Sequence, residues 1–247
     1  MDFYLKYIYD FIADLEQYVV VIGVKEQEGL YIVETDKFFI FIYLPDIIRL
    51  ERDQSKPVIH LDIDLIIQSK AKIINRICGL HGKGSRIYAR QTVVARIDKK
   101  ITMSFQEEHH LQTAMPGKYR YGLYYQGELV SIAVFSGGRL MRNEGEGYRS
   151  FELIRFCHKG NVLVVGGLSK LIKAFVKDFN PQDIMTYADL DWTNDSSLTT
   201  IGFNIVGRLE PQVYYIEDGV RTKELCSAAS NYYIVNNRGS LKLKLKF

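Results

Sequence analysis

Two valines, Val164-Val165, run straight into Gly166-Gly167, and the residues that follow, LSKLIKAFVKDF, have the spacing of an amphipathic helix. A glycine turn between strand and helix presents several backbone N–H groups at the positive end of the helix, which suits a phosphate or pyrophosphate. Glycines let a ligand approach the backbone, and Ser169 and Lys170 add a hydroxyl and a charge. Val165, Gly166, Gly167, Leu168, Ser169 and Lys170 are therefore the candidate anion-binding set. The spacing is not that of a Walker loop or a dinucleotide fingerprint, and a tight β-to-α turn explains it equally.

His110 closes the polar stretch FQEEHHL (105–111) and is a candidate general base, because imidazole titrates near neutral pH. The alternative is a helix-end histidine bonded to the last carbonyls. Its neighbour His109 would point elsewhere on a helix, so the pair is not a HExxH zinc site. Cys78, Cys157 and Cys226 are far apart and odd in number. No metal site and no disulfide framework is expected, and a reducing, cytoplasmic setting fits.

The elements that position these groups follow from periodicity. Apolar residues at helical spacing in 1–17 predict an amphipathic helix. YVVVIGV (18–24), GLYIVET (29–35) and KFFIFIYL (37–44) predict strands, with VIHLDI (58–63) as a further one and a helix over 64–78. GLHGKGS (79–85) is the expected domain break. Beyond it the sequence predicts a strand over 86–97 and a polar helix through 105–111. A hairpin turning at Gln126-Gly127 and a strand at 150–160 come next. After the glycine turn come a strand at 183–190, a short helix at 195–203 and a hairpin over 204–217. LKLKLKF (241–247) alternates strictly and reads as an edge strand. The fold class is α+β.

The 247 residues are 47% hydrophobic and 25% charged, the mixture of an ordinary globular protein, which excludes fibrous and wholly disordered classes. No apolar run approaches the ~18 residues of a membrane span, and MDFYLKYIYDF does not read as a signal peptide. The net charge of +3 conceals a split: 1–65 carries −7, 66–100 carries +8 and 101–247 carries +2. Lys70, Lys72, Arg76, Lys83, Arg86 and Arg90 make the basic stretch a candidate contact for DNA or RNA, although such runs also simply solvate a face. Tyr121, on an aromatic hairpin beside Lys118 and Arg120, is a candidate for stacking on a base, with core packing as the alternative.

The order of segments from Phe105 onward, with LTTIGF (198–203) before the last strands, resembles the GNAT (Gcn5-related N-acetyltransferase) fold. A closer resemblance covers Arg86 to Phe247. It is to the GNAT-like C-terminal region of phage and homing-endonuclease-type proteins and, more distantly, to Mom DNA-modification proteins. It is carried by RIYAR (86–90), HLQ (110–112), YGLYYQGELVSIAVF (121–135), FELIRFCHKGN (151–161), VVGGLSKLIKAF (164–175), YADLDW (187–192), IGF (201–203) and YYIVNNRGSLK (232–242). The chain departs from that pattern at Thr113 and at Leu190-Asp191.

The resemblance implies a central mixed sheet flanked by helices in 86–247, and acetyl-CoA or another acyl-CoA as cofactor with its pyrophosphate on Val165 to Lys170. It implies an amine acceptor, including a nucleobase, entering near His110 and Asp189, and Tyr187 as proton donor to the leaving thiolate. Trp192 and Asn194 would line the same mouth. Residues 1–85 would be a small α+β module, resembling a nuclease remnant with Phe41 in place of a catalytic aspartate, and no nuclease activity is expected of it. The expected function is an acyl-CoA-dependent N-acyltransferase. The alternatives are a non-catalytic nucleic-acid-binding protein on the same scaffold, or a dimerising structural protein.

Overall fold

The computed structural model describes residues 2–50, 55–192, 198–224 and 231–247. The fold is α+β, and its contacts divide the chain into two compact units: Met1–Ile74 with Ala188–Ser196 and Arg208–Leu241, and Asn75–Tyr187 with Ser197–Gly207 and Lys242–Phe247. The grouping therefore differs from the single break expected at 79–85. Among the described residues no helix is long and apolar enough to cross a membrane.

In the first unit, α1 (Asp2–Glu16) precedes a four-stranded sheet of β1 (Val21–Gln27), β2 (Leu30–Thr35), β3 (Phe39–Tyr43) and β4 (Val58–Asp62), in that order. The first three strands run antiparallel, and β4 joins β3 in parallel from Phe39↔Val58 to Tyr43↔Asp62. β4 is buried along its whole length, as near-continuous apolar strands covered on both faces are. α2 (Ile63–Leu80) follows at once and is kinked at Ser69. A second sheet, in the order β15 (Val220–Thr222), β14 (Val213–Glu217), β16 (Tyr232–Asn236), completes the unit.

A buried ion network links segments of this unit that are remote in sequence. Arg49 meets Asp62 through Nη1 at 2.6 Å and Nη2 at 2.9 Å, and meets Asp191 at 3.1 Å. Arg221 reaches Asp62 at 2.8 Å and Asp64 through two bonds. Burial disfavours the charge of Arg49, but Asp62 and Asp191 outweigh it and hold the guanidinium above its ordinary value. Burial also pushes the Asp191 carboxyl up to about 7, against the pull of Arg49. His60 is pulled down to about 3, first by burial and then by Arg49, so it is neutral. The Tyr43 hydroxyl, pushed up to about 12 by burial, shares a hydrogen bond with His60 Nδ1 at 2.8 Å.

The second unit is built on a sheet of β13 (Asn204–Leu209), β17 (Ser240–Lys246), β12 (Asp183–Asp189), β10 (Arg149–His158), β8 (Glu128–Phe135), β7 (Tyr119–Tyr125) and β6 (Val93–Arg96), with β9 (Arg139–Leu140) on β10. β10 pairs with β12 in parallel and with β8 antiparallel, so the sheet is mixed. Alternation along β8 decides which helix covers which face. Ile132 and Val134 pack with Phe105 of α3 (Lys99–His109), whereas Phe135 stacks on Phe175 of α4 (Gly167–Phe179) at 4.0 Å. The helices therefore flank the sheet on opposite faces. A two-stranded parallel ladder of β5 (Ser85–Tyr88) and β11 (Val162–Val165) lies apart from the main sheet.

Three expectations need correction. The strand expected over 86–97 is two strands in different sheets, parted by a 3₁₀ turn at Ala89–Gln91. Gln91 Oε1 accepts the Tyr88 N–H and Thr92 Oγ1 donates to Ala89 O, which fixes that turn. The hairpin expected over 204–217 does not form, because β13 pairs within the large sheet and β14 belongs to the three-stranded one. LKLKLKF is not an edge: β17 lies between β13 and β12, and Lys244 is ion-paired with the buried Asp183 at 3.1 Å. The short helix expected over 195–203 is described only as a 3₁₀ turn at Thr199–Ile201, since residues 193–197 lie outside the described residues.

Candidate functional site

β10 and β12 form a fork. They are in parallel register from Ser150↔Asp183 to Glu152↔Met185 and no further, although β10 runs on to His158 and β12 to Asp189. A β-bulge between Leu153 and Arg155 marks the parting on β10; such an irregularity bends a strand and re-aims its side chains. Thr186 Oγ1 donates to Leu153 O at 2.8 Å, closing the base of the fork with a side chain where a backbone rung would otherwise stand. Tyr187, the next residue along β12, is 40% exposed. Strand propensity alone gives no hint of this fork; the hydroxyl of Thr186 within an apolar strand is the one residue that bears on it, and its role was not anticipated.

The glycine turn forms as the sequence requires. Gly166 takes φ 75°, ψ 8° and caps α4, a left-handed conformation that glycine adopts without strain. Gly167 is needed for another reason: a Cβ there would lie 3.0 Å from Val164 Cβ and 3.2 Å from Leu123 Cδ1. Packing alone accounts for the second glycine. The first intrahelical bond of α4 runs from Lys170 N to Gly166 O, and the N–H groups of Gly167, Leu168 and Ser169 have no acceptor among the described residues.

Lys170 differs from its expected part. Its ammonium donates to Ala89 O at 2.7 Å and to Thr92 O, tying the 3₁₀ turn to the first turn of α4. Lys170→Met is expected to lower stability by about 1.5–3 kcal/mol, the scale of a charged hydrogen bond, as read from urea denaturation. An unchanged midpoint would mean that the tether contributes nothing to the fold. Arg155 is similarly engaged, with Thr113 O and Ile154 O.

His110 is the C-cap of α3. Its Nδ1 meets both the Gln112 N–H at 3.0 Å and Gln112 O at 3.3 Å; accepting from the N–H leaves the ring proton on Nε2, whereas donating to the carbonyl puts the basic lone pair on Nε2. Asp189 closes an Asx turn, its Oδ1 accepting the Asp191 N–H at 3.0 Å. His110 and Tyr187 belong to one unit, and Asp189 belongs to the other. The departure at Leu190-Asp191 has a structural reason, since Leu190 is buried and Asp191 is a member of the ion network. Trp192 is buried, and Asn194 lies outside the described residues.

Of the residues expected to meet nucleic acid, Arg76, Lys83, Arg86 and Arg90 are exposed, and Lys72 is half-buried. Lys70 is paired with Asp14 at 2.5 Å. Tyr121 does not present its ring: it is 2% exposed and its hydroxyl donates to Asp178 at 2.6 Å. It packs edge-on to Phe135 and Phe175, so core filling is its role. Among the described residues no cluster of His, Cys, Asp or Glu could hold a metal ion.

No protein-family model matches the chain, and no curated protein matches it. Among solved structures it is similar to the ribosomal-protein-S18-alanine N-acetyltransferase from Escherichia coli, at 7% identity and a TM-score of 0.40, over 63% of this chain and 93% of that one. It is similar also to a GNAT family acetyltransferase from Elizabethkingia anophelis with acetyl-CoA bound, at 10% identity and a TM-score of 0.37, over 64% and 99%. The polyamine N-acetyltransferase from Drosophila melanogaster matches at 10% identity and a TM-score of 0.40, over 63% and 100%. Likenesses at this level carry no argument about activity, which rests on the residues.

Proposed function

We propose that the chain is an acyl-CoA-dependent N-acyltransferase of the GNAT kind. The observation that carries this reading is the fork of β10 and β12, two parallel strands that pair over three rungs and then part. A parted pair leaves strand-edge backbone groups free to bind an extended, amide-bearing chain such as pantetheine by main-chain hydrogen bonds. The N–H groups of Gly167, Leu168 and Ser169 supply donors for the pyrophosphate, reinforced by the positive end of α4.

In this reading the thioester lies in the fork and the acceptor amine attacks its carbonyl carbon. The C–N bond forms, the C–S bond breaks, and the amine loses a proton. Tyr187, exposed two residues beyond the last rung, gives the thiolate a proton. His110 takes the amine proton only as the tautomer protonated on Nδ1, which donates to Gln112 O in place of accepting the Gln112 N–H. The resemblance to DNA-modification proteins, together with the exposed Lys83 and Arg86, makes a nucleobase amine the acceptor class to try first.

Calorimetry with acetyl-CoA tests the cofactor claim. Val165→Glu is the informative variant, because Val165 is exposed and a carboxylate there stands beside the free N–H groups without disturbing either glycine. It is expected to weaken binding at least about tenfold. Absence of binding by the folded wild-type protein would sink the reading.

A further inference from the structure

The 3₁₀ turn carries an exposed aromatic–cation pair beside the glycine turn. Tyr88 is 48% exposed, and the Arg90 guanidinium lies 5.1 Å from its ring centroid. Tyr88 is the ladder partner of Val165, the residue that enters the glycine turn. A Cβ on Gly166 would be 3.6 Å from Ala89 Cβ, so the two turns are in contact. Lys170 and Gln91 hold the 3₁₀ turn in place. The segments 84–97 and 159–177, which contain both turns, carry seven Lys and Arg and no carboxylate. Some of these cations are engaged elsewhere, as Lys159 is with Glu128 and Arg96 with Asp178. The mechanism above uses neither Tyr88 nor Arg90.

We infer that Tyr88 and Arg90 form the subsite for the nucleotide end of the cofactor, the adenine stacking on Tyr88 and the 3′-phosphate pairing with Arg90. This rests on the acyl-CoA reading and deepens it. A ligand with a pyrophosphate and, one ribose away, a planar base and a second phosphate carries groups complementary to the three kinds found here: N–H donors, an aromatic ring and a guanidinium. The pair is local to the 3₁₀ turn, where Gln91 sets the backbone, and so is pre-organised before any ligand arrives.

The test is calorimetry on the full chain with acetyl-CoA, its 3′-dephospho analogue, S-acetyl-4′-phosphopantetheine and adenosine 3′,5′-bisphosphate. The wild type is expected to bind acetyl-CoA about tenfold more tightly than the dephospho analogue. Arg90→Ala should erase that difference while leaving the dephospho analogue unaffected. Tyr88→Leu should weaken both adenosine-bearing thioesters about fivefold and leave the phosphopantetheine thioester unchanged. Lys173→Ala, an exposed cation of α4, is the control for general charge and should change nothing. Equal affinity for all three thioesters would overturn the subsite while leaving the acyl-CoA reading standing. If no thioester binds but the bisphosphate does, and Arg90→Ala abolishes it, the nucleotide subsite stands and the acyl-CoA reading falls. Binding of none of the four overturns both. A single-stranded oligonucleotide that binds more tightly than the bisphosphate and depends on Arg90 overturns the assignment in favour of nucleic acid.

Discussion

Asp62→Ala is expected to destabilise the first unit by about 3–5 kcal/mol, the range for removing one member of a buried ion pair. The side chain of Asp62 is 2% exposed and receives two bonds from Arg49 and one from Arg221. Without it, the guanidinium groups of Arg49 and of the half-buried Arg221 lose a shared counter-charge, and Arg49, 8% exposed, has little water to recover solvation from. Asp64 and Asp191 still hold one guanidinium each, so the cost is set by the lost bonds and not by complete orphaning. Asp62→Asn, which keeps an acceptor but not the charge, should fall between the two. Lys70→Ala is the surface control: its pair with Asp14 is about 40% exposed on both sides, and such pairs are worth under about 1 kcal/mol. Urea midpoints measured at constant slope read the difference. A midpoint for Asp62→Ala equal to that of the wild type would mean that the network does not form.

Phe175→Ala is expected to cost a similar amount, about 3–5 kcal/mol, in the second unit. Phe175 is fully buried and lies at the centre of an aromatic cluster. It stacks on Phe135 at 4.0 Å and 13°, meets Phe151 edge-on at 5.1 Å and touches Phe179 at 4.9 Å. Removal of the ring leaves a cavity bounded by rigid rings on strand and helix, which collapse poorly. Far-UV circular dichroism is the suitable readout, because the single tryptophan, Trp192, belongs to the other unit. A loss below about 1 kcal/mol would show that the cluster repacks.

What could be read from the sequence was what local chemistry determines. α1 and α4 follow from apolar spacing, and the hairpin turn at Gln126-Gly127 from two residues that accept positive φ, observed at 49° and 83°. The glycine turn was likewise local. The division of 86–97 was hidden because its cause is a side chain, Gln91, folding back on Tyr88 within an otherwise strand-like run. β17 was misplaced because alternating lysines look the same at an edge as beside a buried aspartate; Asp183 is 61 positions before Lys244. The ion network was illegible for the same reason. Its bonds join residues 13, 142 and 159 apart, and no spacing rule connects such positions. Tyr121 shows the limit of composition: a basic, aromatic hairpin looks alike whether its rings meet a base or a core.

The interleaving of the two units bears on how this chain could be shortened or recombined. A fragment ending at residue 85 would keep Asp62, Asp64 and Arg49 but lose Arg221 and Asp191, and with them the partners that make those charges tolerable in a core. The remainder would lack the start of α2, whose residues belong to both units. Because the path passes from one unit to the other five times, no single cut yields a self-sufficient piece. A single crossover anywhere in the chain would therefore part segments that belong to the same unit.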